Sequence, residues 1–290
     1  MKKSSTTNSH YEQINLALAY IHRHFGEEIT AEDLAKISGY SIFHFHRIFK
    51  EITQENVNDY LRNARLEKAS NLLLYNQHKT VEEIALSSGF KSATSFGAAF
   101  KKKFNHTPKE WRTGGYEKNC EYIKQNTNTN IKEIKEPQIV INSEIPMVYI
   151  KVDGYKNDMS SAWETLTSWC EQKDVFTKPH RFIGLFHNHP SSSKYEDARF
   201  LACIETNEEV YRNGEIGKCV VNNGLFAKFT FTCNQKELYN LMHQAYMNWL
   251  PKSHYEVRNF PAYVEYKNPQ KLLTNDSLDI DFYMPIQEQN

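Results

Sequence analysis

Residues 29–50 recur as residues 80–101, and no other feature of the chain limits its fold as tightly. Thr30 matches Thr80, Glu32 matches Glu82, Leu34 matches Ile84, Ala35 matches Ala85 and Gly39 matches Gly89. Beyond the glycine the second copy carries one extra residue, so Phe45 matches Phe96 and Phe49 matches Phe100. One such pattern would be weak, because many helical hairpins share it. A motif repeated in register at a spacing of 50 to 51 residues is a duplicated structural unit.

Each copy reads as helix, tight turn, helix. Thr30 with Asp33, and Thr80 with Glu83, have the spacing of capping boxes, in which hydroxyl and carboxylate satisfy the open N–H groups of a helix start. The glycine after the first short helix supplies the positive φ that ends it. Phe45, Ile48 and Phe49 stand at i, i+3 and i+4 and share one buried face of the second helix. Phe43, His46, Arg47 and Lys50 are left on other faces. A short exposed helix bearing an arginine, held across a glycine turn, suits entry into a DNA major groove.

Residues 11–115 resemble the DNA-binding domain of the AraC/XylS family of transcription regulators. Further matches are Tyr60-Leu61, Arg65-Leu66 and Ala69 between the copies, and Thr107-Pro108-Lys109-Glu110-Trp111-Arg112 after them. The resemblance implies an all-α domain of two helix-turn-helix units joined by one long helix, reading successive major-groove segments. It also implies RNA polymerase as a partner, activation more than repression, and binding as a monomer to an asymmetric site. Geometry and family match together set Phe43, His46 and Arg47 against base edges. Arg47 can donate two parallel bonds to guanine, and Phe43 can pack on a thymine methyl. Lys50, Arg62, Lys101 and Lys102 are the phosphate candidates. In the second copy Ala93, Gly97, Ala98 and Ala99 stand where long polar groups are usual, leaving Ser92, Thr94 and Ser95 to bond. Thr94 and Ser95 are its base-contact candidates, and specificity is expected to rest on the first unit.

At 290 residues the chain has room for two domains. Its apolar fraction of 40% and charged fraction of 24% are ordinary for a globular protein. Net charge is zero, but residues 1–116 hold 16 Lys+Arg against 12 Asp+Glu, and the remainder 19 against 23. The front half is thus mildly basic, which suits phosphate contact. Cys120, Cys170, Cys203, Cys219 and Cys233 form no C-x-x-C pair, so reduced and mostly buried thiols are expected. The start of the chain lacks a signal-peptide pattern and no stretch is apolar enough to span a bilayer, so a cytoplasmic protein is expected.

Residues 11–25 carry an amphipathic helix. Val57, Leu61, Ala64, Ala69 and Leu72 or Leu73 stripe a connecting helix of roughly 18 residues, ~27 Å long. Residues 116–130, with Gln125-Asn126-Thr127-Asn128-Thr129-Asn130, read as a linker. Strands are expected at 148–152, 182–186, 199–204, 225–231, 262–266 and 280–285, with helices at 162–169 and 242–249. At an offset of 80, Trp163 falls on His243, Leu166 on Tyr246 and Trp169 on Trp249, so the rear half reads as an α+β domain of duplicated strand-helix-strand-strand units.

Residues 131–288 resemble the GyrI-like effector-binding domain. The matching segments include 184–190, 199–203, 214–217, 249–251, 255–258, 261–263 and 283–286. An AraC-type front with a GyrI-like rear is the layout of Rob-like regulators. The resemblance implies a mostly aromatic pocket, often with a glutamate that suits apolar cations, for which Trp163, Phe186, Tyr263 and Glu265 are the candidates. In many relatives the acid falls at the place of Val264, and a one-residue shift on a strand turns a side chain to the other face. Glu265 therefore faces either the pocket or solvent, and Trp163 either the pocket or the core. The alternative reading is a hydrolase acting on an apolar or cationic molecule. His44 with His46, and His187 with His189, lack the partners of a zinc site. No cofactor motif is present, and no cysteine has the Pro-Cys-His-Arg neighbours of an alkyl-transfer repair domain.

Overall fold

A computed structural model describes residues 2–24, 29–119, 134–153, 159–173, 180–186, 199–207, 216–258, 260–274 and 277–289; side chains 2–8, 22, 23, 118, 119, 153, 199 and 236 are not described. The expected linker from residue 120 onward, Cys120, His187, His189 and the loop halves of the 184–190 and 214–217 segments lie outside the described residues.

The front half is helical throughout. Helix α1 (Lys2–His24) begins well before the amphipathic stretch. The first unit is α2 (Ala31–Ile37) and α3 (Ile42–Thr53), and the connector is α4 (Val57–Tyr75). The second unit is α5 (Val81–Ser87) and α6 (Ala93–Phe104). α7 (Pro108–Glu110) then runs through a π turn, Trp111–Gly115, into α8 (Tyr116–Asn119). Capping boxes form at Thr30 with Asp33, Thr80 with Glu83 and Thr107 with Glu110. Gly39 and Gly89 take φ of +67° and +80°, the left-handed values that a Cβ would strain. Gln54 turns left-handed and closes α3, and the connector starts at an Asn56 cap.

The rear half is one antiparallel sheet with helices on one side. Its elements are β1 (Gln138–Asn142), β2 (Ile145–Asp153), α9 (Met159–Gln172), β3 (Phe182–Phe186) and β4 (Arg199–Glu205). Next come β5 (Ile216–Val221), β6 (Gly224–Cys233), α10 (Gln235–Gln244), β7 (Tyr255–Val257), β8 (Ala262–Tyr266) and β9 (Leu278–Glu288). Strand order is β1-β6-β9-β8-β3-β4-β2-β5, with β7 on the far end of β9. The units β2-α9-β3-β4 and β6-α10-β8-β9 mirror each other about the β3–β8 pair. Asn142 pairs Gly224 and Ile145 pairs Val221, so β1 runs into β2 and β5 into β6 without a change of register. The two ends of the sheet are thereby drawn together, and the sheet curls around a concave face.

β1, β5 and β7 were not expected from the sequence. β1 leaves Ile139 and Ile141 exposed, β7 is three residues long, and β5 contains Gly217. That glycine is required: a Cβ there would come within 2.4 Å of the Tyr149 ring.

Apolar packing divides the molecule unexpectedly. The first unit has its own core, in which Ile14, Leu18 and Ile21 of α1 meet Leu34, Phe45, Phe49 and Tyr60. The second unit shares one core with the helix-covered face of the rear sheet, running from Leu73, Phe100 and Trp111 to Tyr246 and Phe282. A third cluster lines the concave face, from Tyr149 and Leu185 to Tyr263 and Tyr283. Cys170, Cys203 and Cys233 are buried and Cys219 half-buried, all as thiols. No helix among the described residues is long and apolar enough to cross a membrane.

Candidate nucleic-acid interface and small-molecule cavity

The first recognition helix is anchored from below and open above. Ser41 caps α3, and Phe45, Ile48 and Phe49 are fully buried, with Phe49 edge-on to Tyr60 at 5.4 Å. The opposite face presents Phe43, 86% exposed, together with exposed Arg47 and Lys50 and half-buried His46. Arg47 Nη2 donates to His44 Nδ1 at 3.2 Å. The His44 ring meets Tyr40 edge-on at 4.7 Å and His10 at 5.5 Å. His44 thus braces the arginine, a role that helical spacing alone did not expose, though i and i+3 neighbours were available to find it.

The second recognition helix offers less. Phe96 and Phe100 are buried, while Thr94, Ser95, Ala98, Lys101 and Lys102 are exposed. The Ser95 hydroxyl is engaged locally, donating to the Ser92 carbonyl at 3.0 Å while Ser92 caps the helix. Nothing lies within 4 Å of where a Cβ would stand on Gly97. The exposed face is therefore small-residue surface flanked by lysines. Arg62 is exposed and ion-paired with Asp59, an exchangeable surface pair of little energetic weight.

The structure does not gather the four pocket candidates. Trp163 and Phe186 lie on the helix-covered face of the sheet. Trp163 is 2% exposed and packs on Tyr266 at 5.6 Å, Phe182 at 5.9 Å and Phe200 at 6.4 Å. Phe186 packs on Phe200 and on Tyr239 of α10. Tyr263 and Glu265 alternate onto the concave face, where Tyr263 stacks on Tyr283 at 4.4 Å. Glu265 accepts from Arg181 at 2.7 Å, from Lys267 at 3.0 Å and from the Tyr283 hydroxyl at 3.3 Å. Burial acts to raise its pKa, but Arg181 and Lys267 outweigh it and hold the carboxyl below the usual carboxylate range. Glu265 is thus already neutralised by two cations.

A cavity of about 530 Å³ opens between the sheet and the first unit. Tyr149, Leu185, Leu201 and Phe226 form its floor, and the β5 segment around Cys219 and Val220 one side. Leu16, Ala19, Tyr20 and His24 of α1 form the opposite wall. Reading of the sequence missed this wall. The signal was present: Leu16, Ala19 and Tyr20 stand at i, i+3 and i+4, a second apolar stripe beside Ile14, Leu18 and Ile21. A helix with two apolar stripes has two partners. Among the described residues no Asp or Glu lines the cavity, whereas Lys151 and Lys218 do. Among the described residues no three His, Cys, Asp or Glu side chains are grouped to hold a metal ion.

The second unit is latched to the rear domain by polar bonds as well. Asn76 caps α4 and behaves as a strand partner for β7: its Nδ2 donates to Val257 O at 3.1 Å, and Val257 N donates to its Oδ1 at 2.9 Å. Buried Glu256 accepts from His78 and Lys79, each at 2.6 Å, and from Gln287. Tyr75 stacks on Tyr246 at 4.2 Å. Burial works to raise the Glu256 pKa, but bonds from Lys79, Gln287 and His78 lower it overall. Its stabilisation is therefore present above the unfolded carboxyl pKa of about 4.3 and is lost as pH falls below it. Glu256→Ala should cost about 1.5–3 kcal/mol at pH 7, the scale of hydrogen bonds to a charged group. Urea unfolding of both proteins at pH 7 and pH 4 checks this; the gap between them should narrow in acid.

Comparison with known proteins matches two parts of the chain. Residues 34–114 match the helix-turn-helix domain family, and residues 135–287 the GyrI-like small molecule binding domain. The chain is similar to the uncharacterized HTH-type transcriptional regulator YbfP of Bacillus subtilis, 37% identical over 105 residues that make up 36% of this chain and 35% of that protein. It is 31% identical to regulatory protein SoxS of Escherichia coli over 36% of this chain and 96% of SoxS. Among solved structures, the EcmrR C-terminal domain aligns with 53% of this chain and 98% of its own, at 12% identity and a TM-score of 0.41.

Proposed function

The chain belongs to the GyrI-like small-molecule-binding family and carries an AraC-type helix-turn-helix transcription-regulator domain in front, and from that premise we propose that it is a sequence-specific activator switched by an apolar effector. The observation that carries the reading is the α3 face, with Phe43 and Arg47 held outward above a fully buried Phe45–Phe49 anchor. The two units, within residues 11–115, meet DNA as a monomer and engage RNA polymerase; residues 131–288 take the effector on their concave face. The expected 116–130 linker does not begin at 116, because Tyr116–Asn119 continue as helix α8 with Tyr116 buried in the shared core. Base contacts come from Phe43, His46 and Arg47, with Thr94 and Ser95 minor. Lys50, Arg62, Lys101 and Lys102 bind phosphate. Tyr263 and Glu265 order the concave face, and Trp163 and Phe186 support it from behind. Glu265, locked in two ion pairs, is not a hydrolytic base.

Selection of random duplex DNA by the full-length protein at physiological salt tests this. A motif concentrated over one major-groove segment is expected, and salt-sensitive binding without enrichment would overturn it. Within the selected site, Arg47→Ala should lose about 1–3 kcal/mol of discrimination at one guanine. Lys50→Ala should instead weaken specific and random DNA alike and reduce the salt slope by about one. Equal losses on both DNAs for both variants would reverse these roles.

A further inference from the structure

Taking the effector reading above as its basis, we propose that the effector site is the seam between the two domains, walled by α1, and that it takes an apolar, ring-bearing molecule without positive charge.

Three observations meet at this seam. First, the second unit is continuous with the rear domain through one apolar core and the Asn76–Glu256 latch, whereas the first unit has a separate core. The first unit reaches the rear sheet along α1, and the cavity lies there. Second, that wall of α1 is apolar and only half-buried at Leu16, Ala19 and Tyr20. Third, the charge is wrong for a cation. Among the described residues the lining holds Lys151 and Lys218 and no acid, while Glu265, expected to serve a cation, does not line the cavity and is paired with Arg181 and Lys267. Taking an uncompensated cation out of water costs more than its attraction to aromatic faces returns, so the deficit stands.

The consequence is mechanical. A molecule in the seam touches α1 on one side and the body carrying the second unit on the other. It therefore biases how α3 is set relative to α6, and so how well both reach successive turns of one groove. Coupling is reciprocal: DNA must change ligand affinity by the factor by which ligand changes DNA affinity.

Tetraphenylborate and tetraphenylphosphonium are matched in size and opposite in charge, and calorimetric titration of the full chain with each tests the proposal. Tetraphenylborate is expected to bind at least about ten-fold tighter, a difference of 1.4 kcal/mol. Ala19→Trp fills the cavity from α1 and Val220→Trp from β5; both variants should lower tetraphenylborate affinity about ten-fold or more with melting temperature retained. Saturating tetraphenylborate should shift affinity for the selected DNA about five-fold or more. Tighter tetraphenylphosphonium binding would overturn the charge assignment. Loss with Val220→Trp but not Ala19→Trp would overturn the two-domain site while leaving an effector-binding rear domain intact. Uptake of neither probe by a chain that still selects DNA would overturn the seam as a site, whereas failure to select DNA would sink the regulator reading itself.

Discussion

Trp163→Ala is expected to destabilise the rear domain by about 3–5 kcal/mol, the range for truncating a buried tryptophan, and to leave ligand affinity within about two-fold at temperatures where the domain stays folded. The indole is 2% exposed and wedged between Tyr266, Phe182 and Phe200. Its removal empties a volume that three strands and α9 cannot collapse to fill. The cavity beside α1 lies on the other side of the sheet, so the ligand does not feel the loss directly. Urea unfolding measures the first effect and tetraphenylborate titration the second. A ten-fold loss of affinity with unchanged stability would instead make Trp163 a pocket residue.

Trp111→Ala should have a comparable effect at the other end of the shared core. Trp111 is fully buried, edge-on to Phe100 at 5.6 Å, and beside Phe104 and Tyr116. Its Nε1 donates to the Ser70 carbonyl at 3.2 Å, which fixes the last turn of the domain on α4. Alanine removes the ring and its hydrogen bond to that carbonyl, so a loss of about 3–5 kcal/mol is expected. Trp111→Phe keeps most of the packing and should cost about 1 kcal/mol for the hydrogen bond plus a smaller packing defect. Because the first unit has its own core, footprinting of Trp111→Ala should show the α3 half of the DNA site still protected and the α6 half lost. Loss of both halves together would mean that the two units fold as one body.

The front domain was legible in the sequence because its determinants are local. Capping boxes act over three residues, the glycine turns over one, and the Phe45–Phe49 and Phe96–Phe100 anchors over one helical turn. The arginine brace was missed although His44 and Arg47 are i, i+3 neighbours, because the setting of His44 depends in part on His10, brought to it from α1. In the rear domain the strands with strong alternation were readable, and those at exposed or glycine-bearing edges were not.

The candidate pocket shows where sequence reading stops. Four residues chosen by type and resemblance fall on two faces of one sheet, because strand parity sends Phe186 to the helices and Tyr263 and Glu265 to the concave side. Parity along one strand can be counted, but which face is covered by helices, and which by α1, is set by distant packing. The full pairing of Glu265 was likewise undecidable from its own strand, since Lys267 is two residues on but Arg181 is 84 residues away.

By itself, then, the sequence determined the duplicated helix-turn-helix units, their outward-facing residues and the two-part α and α+β layout, since helical period, caps and strand alternation are encoded within a few neighbouring residues. Only the tertiary structure decided that the second unit is welded to the rear domain, that the first meets it along α1, and that the described residues around the space between them are mostly apolar, with two lysines and no acid. Those properties depend on which surfaces come together, and residues far apart in the chain settle that through the total apolar area they can bury and the charges they can pair.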